Sequence, residues 1–177
     1  MEQMIALNVG VLTRLTYAAA PAFVARGKGT IVNIASIVAI SPETLNGVYG
    51  GTKAFVLALS QSLLRELANK GVRVQVVLPG ATLTEFWDIA GMPAHNLPPE
   101  IVMPVEEMVD AALAGLDLGE FATIPSLPNI ADWDAFEGAR QRLMPNLSGA
   151  RPAARYAQPG AQQPSPSHGG NSGNRHQ

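Results

Sequence analysis

The stretch GTIVNIASIVAISPETLNGVYGGTKAFVLALSQSLLRELANKGVRVQVVLPG, residues 29–80, decides the fold of this chain. An apolar run over residues 29–36 is followed by a turn-rich loop, a helical pattern from Tyr49 to about Lys70, and a second apolar run over residues 72–78. Apolar runs without polar alternation are typical of strands buried on both faces. This order therefore predicts a strand, a helix and a second, parallel strand.

The ends of these two strands predict where a ligand binds. The first apolar run ends at Ser36, and the second leads into Pro79 and Gly80. In open α/β sheets the ligand crevice lies at the carboxyl ends of the strands. We therefore expect Ser36, the start of the Tyr49 helix and the Pro79-Gly80 loop to face one crevice.

Tyr49 and Lys53 indicate proton-transfer chemistry. Residues four apart on a helix share a face, and a free phenol has a pKa of about 10, too high for efficient acid-base catalysis at neutral pH. A neighbouring ammonium and the positive end of a helix both favour the phenolate, so we expect the pKa of Tyr49 to be lowered. Taken alone, this spacing is more often a solvated helix surface. The serine at a strand end and the Pro-Gly loop favour a site.

These residues resemble the catalytic Ser and YxxxK motif of the classical short-chain dehydrogenase/reductase family. Asn8 falls where that family has an Asn in the helix before the serine strand. The resemblance implies that Tyr49 is the general acid/base and that Ser36 orients the substrate carbonyl. It further implies that Lys53 holds the nicotinamide ribose and lowers the tyrosine pKa, and that Asn8 supports a proton-relay water.

The segment PGATLT, residues 79–84, is similar to the family's P-G-x-x-x-T loop beside the nicotinamide. The resemblance therefore implies NAD or NADP as the cofactor. The residues that it implies for cofactor binding are Tyr49, Lys53, Pro79, Gly80, Thr82 and Thr84.

The expected fold is α/β, a partial Rossmann-like, doubly wound parallel sheet of about three strands with flanking helices. The resemblance covers residues 1–125 and matches only the C-terminal half of the family fold. The Gly-rich phosphate turn is not found, because Gly27-Lys28-Gly29 follows a helix and precedes a strand. We therefore expect the N-terminal nucleotide-binding half to be missing, which would leave the strand of residues 30–34 with an open edge.

The organisation predicted along the chain has two parts. Residues 1–146 form the C-terminal part of the Rossmann-type domain, and residues 147–177, rich in Pro, Gly, Ser and Gln, are expected to be disordered. Residues 85–103 are either a surface loop or a mobile substrate lid, and both interpretations stay open.

Further helices are predicted over residues 1–26 with a cap at Gly27, from Pro104 to about Gly119 and over residues 131–144, and a third strand over residues 121–125. The side of the Tyr49 helix expected to be buried carries Phe55, Ala58, Leu59, Ser62, Leu63 and Leu67.

Composition excludes several classes of function. A hydrophobic content of 47% over 177 residues is sufficient for a core. The net charge of −2 provides no basic field for nucleic acid or an anionic membrane. The chain has no cysteine for disulfides or thiolate metal sites, and we predict no metal site. Glu2 and Arg14 argue against a signal peptide, so we expect a cytoplasmic protein.

Two functional hypotheses follow. The first is an NAD(P)-dependent oxidoreductase that interconverts a carbonyl and a secondary alcohol through Tyr49, with an apolar small-molecule substrate. The second is a truncated, inactive fragment that acts at most as an oligomerisation or interaction module. The first helix and the Tyr49 helix are similar to those through which family members form oligomers, so we expect a homo-oligomer. The sequence fixes neither the substrate nor the choice between NAD and NADP.

Overall fold

A computed structural model describes residues 1–45, 47–84 and 96–156 of the chain, which divides into two compact units, Met1–Pro128 and Asn129–Gln177. The first unit contains, in chain order, helices α1 (Glu2–Ile5) and α2 (Leu12–Arg26), strand β1 (Gly29–Ile34), helix α3 (Gly47–Glu66), strands β2 (Val72–Val77), β3 (Ala81–Leu83) and β4 (Val102–Pro104), helix α4 (Val105–Leu118) and strand β5 (Ala122–Thr123).

The strand, helix and strand predicted over residues 29–80 form a parallel crossover. β1 pairs with β2 in parallel from Gly29 opposite Val72 to Ile34 opposite Val77, and β5 pairs in parallel with the other edge of β2. The sheet order is β1-β2-β5. The predicted partial parallel sheet of about three strands with flanking helices is therefore confirmed.

The first helical region, which runs from Glu2 to Arg26, contains a π-helical segment that was not predicted from the sequence. Between α1 and α2 the chain is π-helical over Ala6–Val11, a segment that contains Asn8. Single π-helical turns inside α-helices occur frequently at functional sites. Gly27 ends the helix in the left-handed conformation, with φ of 62°, as predicted.

Helix α3 begins two residues before Tyr49 and ends at Glu66, earlier than the predicted Lys70. Gly71 then turns the chain into β2 with φ of 72°, and a Cβ there would lie 1.9 Å from the Gly27 carbonyl oxygen, so only glycine fits.

The predicted buried side of this helix is confirmed at Leu63 and Leu67, which are buried, and is wrong at three other residues. Phe55, Ala58 and Ser62 are exposed, and Leu59 is half-buried. Because α3 carries apolar residues all round, helical period alone did not identify the side that meets the sheet. The buried residues of this helix are Gly50, Thr52, Val56, Leu57, Ser60 and Leu63.

The core lies between one face of the sheet and the helices α2 and α3. A buried cluster joins these three elements and consists of Ala20, Ile31, Leu63, Leu67 and Val74. β2 is buried on both faces over residues 74–77, but β1 alternates, with Val32 and Ile34 exposed. The expectation that β1 is buried on both faces is therefore wrong. β1 pairs only with β2 among the described residues, as expected for an open edge.

Buried Gln75 of β2 connects this strand to α4 and β5 by hydrogen bonds. Its Nε2 donates to the Ala112 carbonyl oxygen of α4 at 2.8 Å and to Thr123 Oγ1 of β5 at 2.9 Å. Pro104 is the N-cap of α4 and not its first helical residue, and Gly119 ends the helix with φ of 80°, as predicted.

A second, two-stranded parallel sheet pairs β3 with β4. Neither strand was predicted, because three residues are too few to show the alternation of a strand. Of the predicted lid, residues 85–95 lie outside the described residues, and the remainder contains a short 3-10 turn, Pro99–Ile101, that leads into β4.

The second unit contains helix α5 (Ile130–Leu143), close to its predicted bounds. Asn129 caps it, since its side chain accepts from the Ala131 amide at 3.0 Å. Residues 157–177, most of the predicted disordered tail, lie outside the described residues, and the boundary at residue 147 stays a prediction.

Asn33 and Ser60 tie α3 to β1 through a buried polar pair. Asn33 Nδ2 donates to Ser60 Oγ at 3.0 Å, and the Ser60 hydroxyl donates to the Val56 carbonyl oxygen at 2.8 Å. Both residues are buried, at 5% and 0% exposure. A buried amide that lost this acceptor would keep its desolvation cost without compensation.

We expect Ser60→Ala to lower the free energy of unfolding by about 1–3 kcal/mol, because it leaves the Asn33 amide unsatisfied. The measurement is urea unfolding of both forms. Ser62→Ala is the matched control at an exposed serine of the same helix, where the change should stay within about 0.5 kcal/mol. Equal effects of the two substitutions would contradict the importance of this pair.

Candidate functional site

Ser36 lies just beyond the carboxyl end of β1 and contacts the loop after β2. Its Oγ donates to the Pro79 carbonyl oxygen at 3.3 Å and accepts from the Val38 amide at 3.4 Å. The Ile37 amide donates to the same Pro79 oxygen at 3.0 Å. Strands β1 and β2 are parallel and end side by side, so Ser36 and the Pro-Gly loop lie at the same edge of the sheet, called the lip below.

Tyr49, the third residue of α3, reaches this lip and forms a side-chain hydrogen bond with Ser36. Burial raises the pKa of Tyr49 above its ordinary value, and the hydrogen bond with Ser36 opposes this rise without overcoming it. The expected lowering of the Tyr49 pKa is therefore wrong for the chain as it stands. Burial could not be derived from the spacing of Tyr49 and Lys53.

Lys53 lies one turn further along α3. Its Nζ donates to the Ile34 carbonyl oxygen at 3.1 Å and lies 5.7 Å from the centroid of the Tyr49 ring. Burial lowers the pKa of Lys53. The Lys53 ammonium is thus bound to the end of β1, beside the Tyr49 ring. This contact keeps the face of α3 that carries both residues turned towards the end of β1.

Asn8 contributes to the same site from the π-helical segment. Its Nδ2 donates to Thr52 Oγ1 at 3.1 Å, and the Thr52 hydroxyl donates to the Tyr49 carbonyl oxygen at 2.8 Å. A cleft of about 430 Å³, within the size range of small-molecule sites, separates the first helical region from α3. It is lined by Gln3, Met4, Leu7, Asn8, Tyr49 and Lys53.

The loop after β2 carries the remaining predicted cofactor residues. Pro79 is buried and Gly80 half-buried. Thr82 Oγ1 donates to the Gly80 carbonyl oxygen at 3.3 Å, and Thr84, which is exposed, donates to the Thr82 carbonyl oxygen at 3.5 Å. These bonds keep the loop compact beside Ser36. The roles of these residues stay predictions.

Thr52 and the Ile34 carbonyl are two groups of the site that sequence reasoning missed. A threonine inside a helix often bonds its hydroxyl to the carbonyl three or four residues earlier, so YGGTK already contained a signal for the Thr52 bond to Tyr49. The Thr52 oxygen also accepts from Asn8. This contact could not be predicted, because it depends on the π-helical segment that contains Asn8.

Across the part of the chain that the structure describes, His, Asp and Glu side chains form no group of three or more that could hold a metal ion. The described helices are all too short or too polar to cross a membrane.

A model of the short chain dehydrogenase family matches residues 1–91, just over half of the chain. The chain belongs to the short chain dehydrogenase family. The matched region includes Asn8, Ser36, Tyr49, Lys53 and the loop of residues 79–84. The predicted family is therefore confirmed.

This short chain dehydrogenase is similar to the 7beta-hydroxysteroid dehydrogenase of Collinsella aerofaciens, with 31% identity over 138 residues that make up 76% of this chain and 52% of that protein. It is also similar to a probable NADP-dependent dehydrogenase of Haemophilus influenzae, with 44% identity over 78 residues, 44% of this chain and 31% of that protein. The chain spans about half the length of the first of these relatives.

Solved structures show the same fold. A short-chain dehydrogenase from Sphingobium yanoikuyae in complex with NADPH has a TM-score of 0.82 and 53% identity, over 86% of this chain and 59% of that one. A bulky-bulky ketone specific alcohol dehydrogenase from Comamonas testosteroni has a TM-score of 0.75 and 46% identity, over 87% of this chain and 57% of that one.

We expect Tyr49 of this short chain dehydrogenase to ionise above the ordinary value of 10.0, because burial favours the neutral phenol. Because the pKa of Tyr49 is higher in the folded than in the unfolded protein, the neutral phenol stabilises the fold. This stabilisation is fully present at pH values below the unfolded-state pKa and is lost as the pH rises through the folded-state pKa. The measurement is tyrosinate absorbance against pH, with Tyr49→Phe to isolate this phenol and Tyr156→Phe as the control at an exposed tyrosine. A Tyr49 midpoint below the ordinary value would contradict the assignment.

Proposed function

We propose that the protein carrying this sequence is an NAD(P)-dependent oxidoreductase that interconverts a carbonyl and a secondary alcohol. The observation that carries the proposal is the hydrogen bond between Tyr49 and Ser36, two hydroxyl groups that can bind one substrate oxygen from two sides. Lys53 is anchored beside them at the Ile34 carbonyl. Membership of the family supports the same reaction class.

The proton step follows from the state of Tyr49. A phenol whose pKa is raised is protonated at neutral pH, so it carries the proton that a carbonyl oxygen takes during reduction, although burial makes it a weaker acid than a free phenol. On substrate binding the Ser36 hydroxyl would turn its one hydrogen from the Pro79 carbonyl to the same substrate oxygen and hold that oxygen towards Tyr49. The carbonyl π electrons end on that oxygen, which takes the tyrosine proton and becomes the alcohol.

The residues present fit the nicotinamide end of the cofactor. Lys53 supplies a cation and hydrogen-bond donor at the cleft, and the compact 79–84 loop offers a wall beside Ser36. Lys53, Pro79, Gly80, Thr82 and Thr84, together with Tyr49, would hold this end. NAD(P)H, when bound, supplies the hydride that adds to the carbonyl carbon. The NADPH complex of the Sphingobium protein supports this cofactor class.

An apolar carbonyl compound is the proposed substrate. Met4 and Leu7 provide apolar walls to the cleft that contains Tyr49. Relatives named for a bulky-bulky ketone and for a 7beta-hydroxysteroid support a bulky substrate. For residues 85–103 the loop and lid interpretations both stay open, because residues 85–95 lie outside the described residues. A cytoplasmic location is part of the proposal.

A homo-oligomer through the first helical region and α3 is part of the proposal. Leu15 of α2 and Phe55 of α3 are exposed, at 66% and 37%. Tyr17 of α2 donates to Glu66 of α3 at 3.4 Å, so the two helices meet at this point. A second copy that covered both helices would remove this apolar surface from water.

A second candidate function is a non-catalytic interaction module. It is favoured by the open edge of β1, where Val32 and Ile34 are 40% and 45% exposed. An unpaired strand edge with apolar side chains is a template for pairing with another chain. Titration with NADPH and NADH beside sedimentation discriminates the two candidates, since a defined assembly without nucleotide binding would favour the module.

We expect Tyr49→Phe to reduce turnover of a bulky apolar ketone by about 10²–10⁴-fold, the usual contribution of a positioned proton donor. The free energies of NADPH binding and of unfolding should change by no more than the loss of one hydrogen bond, about 0.5–1.5 kcal/mol, because the ring is retained and only the hydroxyl that bonds Ser36 is removed. The measurement is NADPH oxidation by the protein carrying this sequence, with Tyr156→Phe as the control. Full turnover by Tyr49→Phe would rule out the proposed proton transfer.

A further inference from the structure

Thr52 lies where the π-helical segment meets α3, and its hydroxyl makes two hydrogen bonds. It donates to the Tyr49 carbonyl oxygen at 2.8 Å and accepts from Asn8 Nδ2 at 3.1 Å. The side chain is buried, at 4% exposure. The hydroxyl therefore links the cleft-lining Asn8 to the backbone of Tyr49.

The hydrogen count at Thr52 determines which way the Asn8 amide faces. A hydroxyl has one hydrogen, and the Tyr49 carbonyl can only accept, so the Thr52 hydrogen is used in that bond. Towards Asn8 the hydroxyl can then act only as an acceptor. It meets the NH₂ end of the amide, and the amide oxygen Oδ1 is directed away from Thr52.

We propose that Thr52 is a positioning residue that selects this orientation of Asn8 and keeps Oδ1 available as an acceptor to the cleft shared with Tyr49 and Lys53. The kinetic consequence rests on the proposed function, whereas the orientation itself does not. An acceptor at this point can hold a water molecule or a substrate hydroxyl, and a flipped amide would offer a donor instead. Thr52 would thus act on the reaction through Asn8 without touching substrate.

The orientation is tested by NMR on the side-chain amide of Asn8, which Asn8→Asp identifies because that substitution removes its signals. We expect a nuclear Overhauser contact between one Asn8 amide proton and the Thr52 methyl group, and slow exchange of that proton with solvent. In Thr52→Val, which keeps the shape and removes the hydroxyl, exchange should become faster. Thr52→Ser should restore slow exchange. Fast exchange in the unsubstituted chain would overturn the inference, whether or not turnover is found.

The positioning role is tested by steady-state kinetics on the same variants. We expect Thr52→Val to lower kcat about three- to tenfold, the effect of losing one neutral hydrogen bond, with the KM for NADPH unchanged. Thr52→Ser should recover kcat, because it keeps the hydroxyl. Unchanged kcat in Thr52→Val, or equal losses in both variants, would overturn the role. If the unsubstituted protein shows no turnover, the proposed function and this role fail together, while the NMR result still decides the orientation.

Discussion

The parallel register of β1 and β2 is the constraint on which the site depends. Ile34 lies opposite Val77, so the chain leaves both strands at the same height, and Ser36 meets the Pro79 carbonyl. A shift of one residue would turn every side chain of the shifted strand to the opposite face of the sheet and separate these two groups. The register is specified by β1, because its residues alternate between buried and exposed, so a slip would bury the residues that are now exposed.

Helix α3 is fixed against this sheet at two points. The Asn33–Ser60 hydrogen bond lies in the core, and Lys53 donates to the Ile34 carbonyl near the lip. Both bonds join α3 to β1, so the helix can neither slide nor rotate without leaving a polar group unsatisfied. Tyr49, one turn before Lys53, is thereby held at Ser36. The same polar groups that stabilise the fold set the geometry of the proposed proton donor.

Much of this arrangement could be predicted because it is local. Continuous apolar runs on either side of a helical pattern indicate a parallel crossover, and topology then places Ser36 and Pro79 at one edge. What could not be predicted depends on contacts distant in sequence. The buried side of α3, the π-helical turn around Asn8 and the pairing of β3 with β4 are decided by tertiary packing. The shift of the Tyr49 pKa was predicted in the wrong direction, because the burial that raises it depends on elements distant from Tyr49 along the chain.

A double-mutant cycle on turnover would measure whether Ser36 and Tyr49 act on one oxygen as a unit, as proposed. Turnover of a bulky ketone with NADPH would be measured for Ser36→Ala, Tyr49→Phe and the variant with both changes. If the two hydroxyls act together, the double variant should be within about twofold of the slower single variant. Losses that multiply, as for two independent sites, would show that the two hydroxyls do not act together.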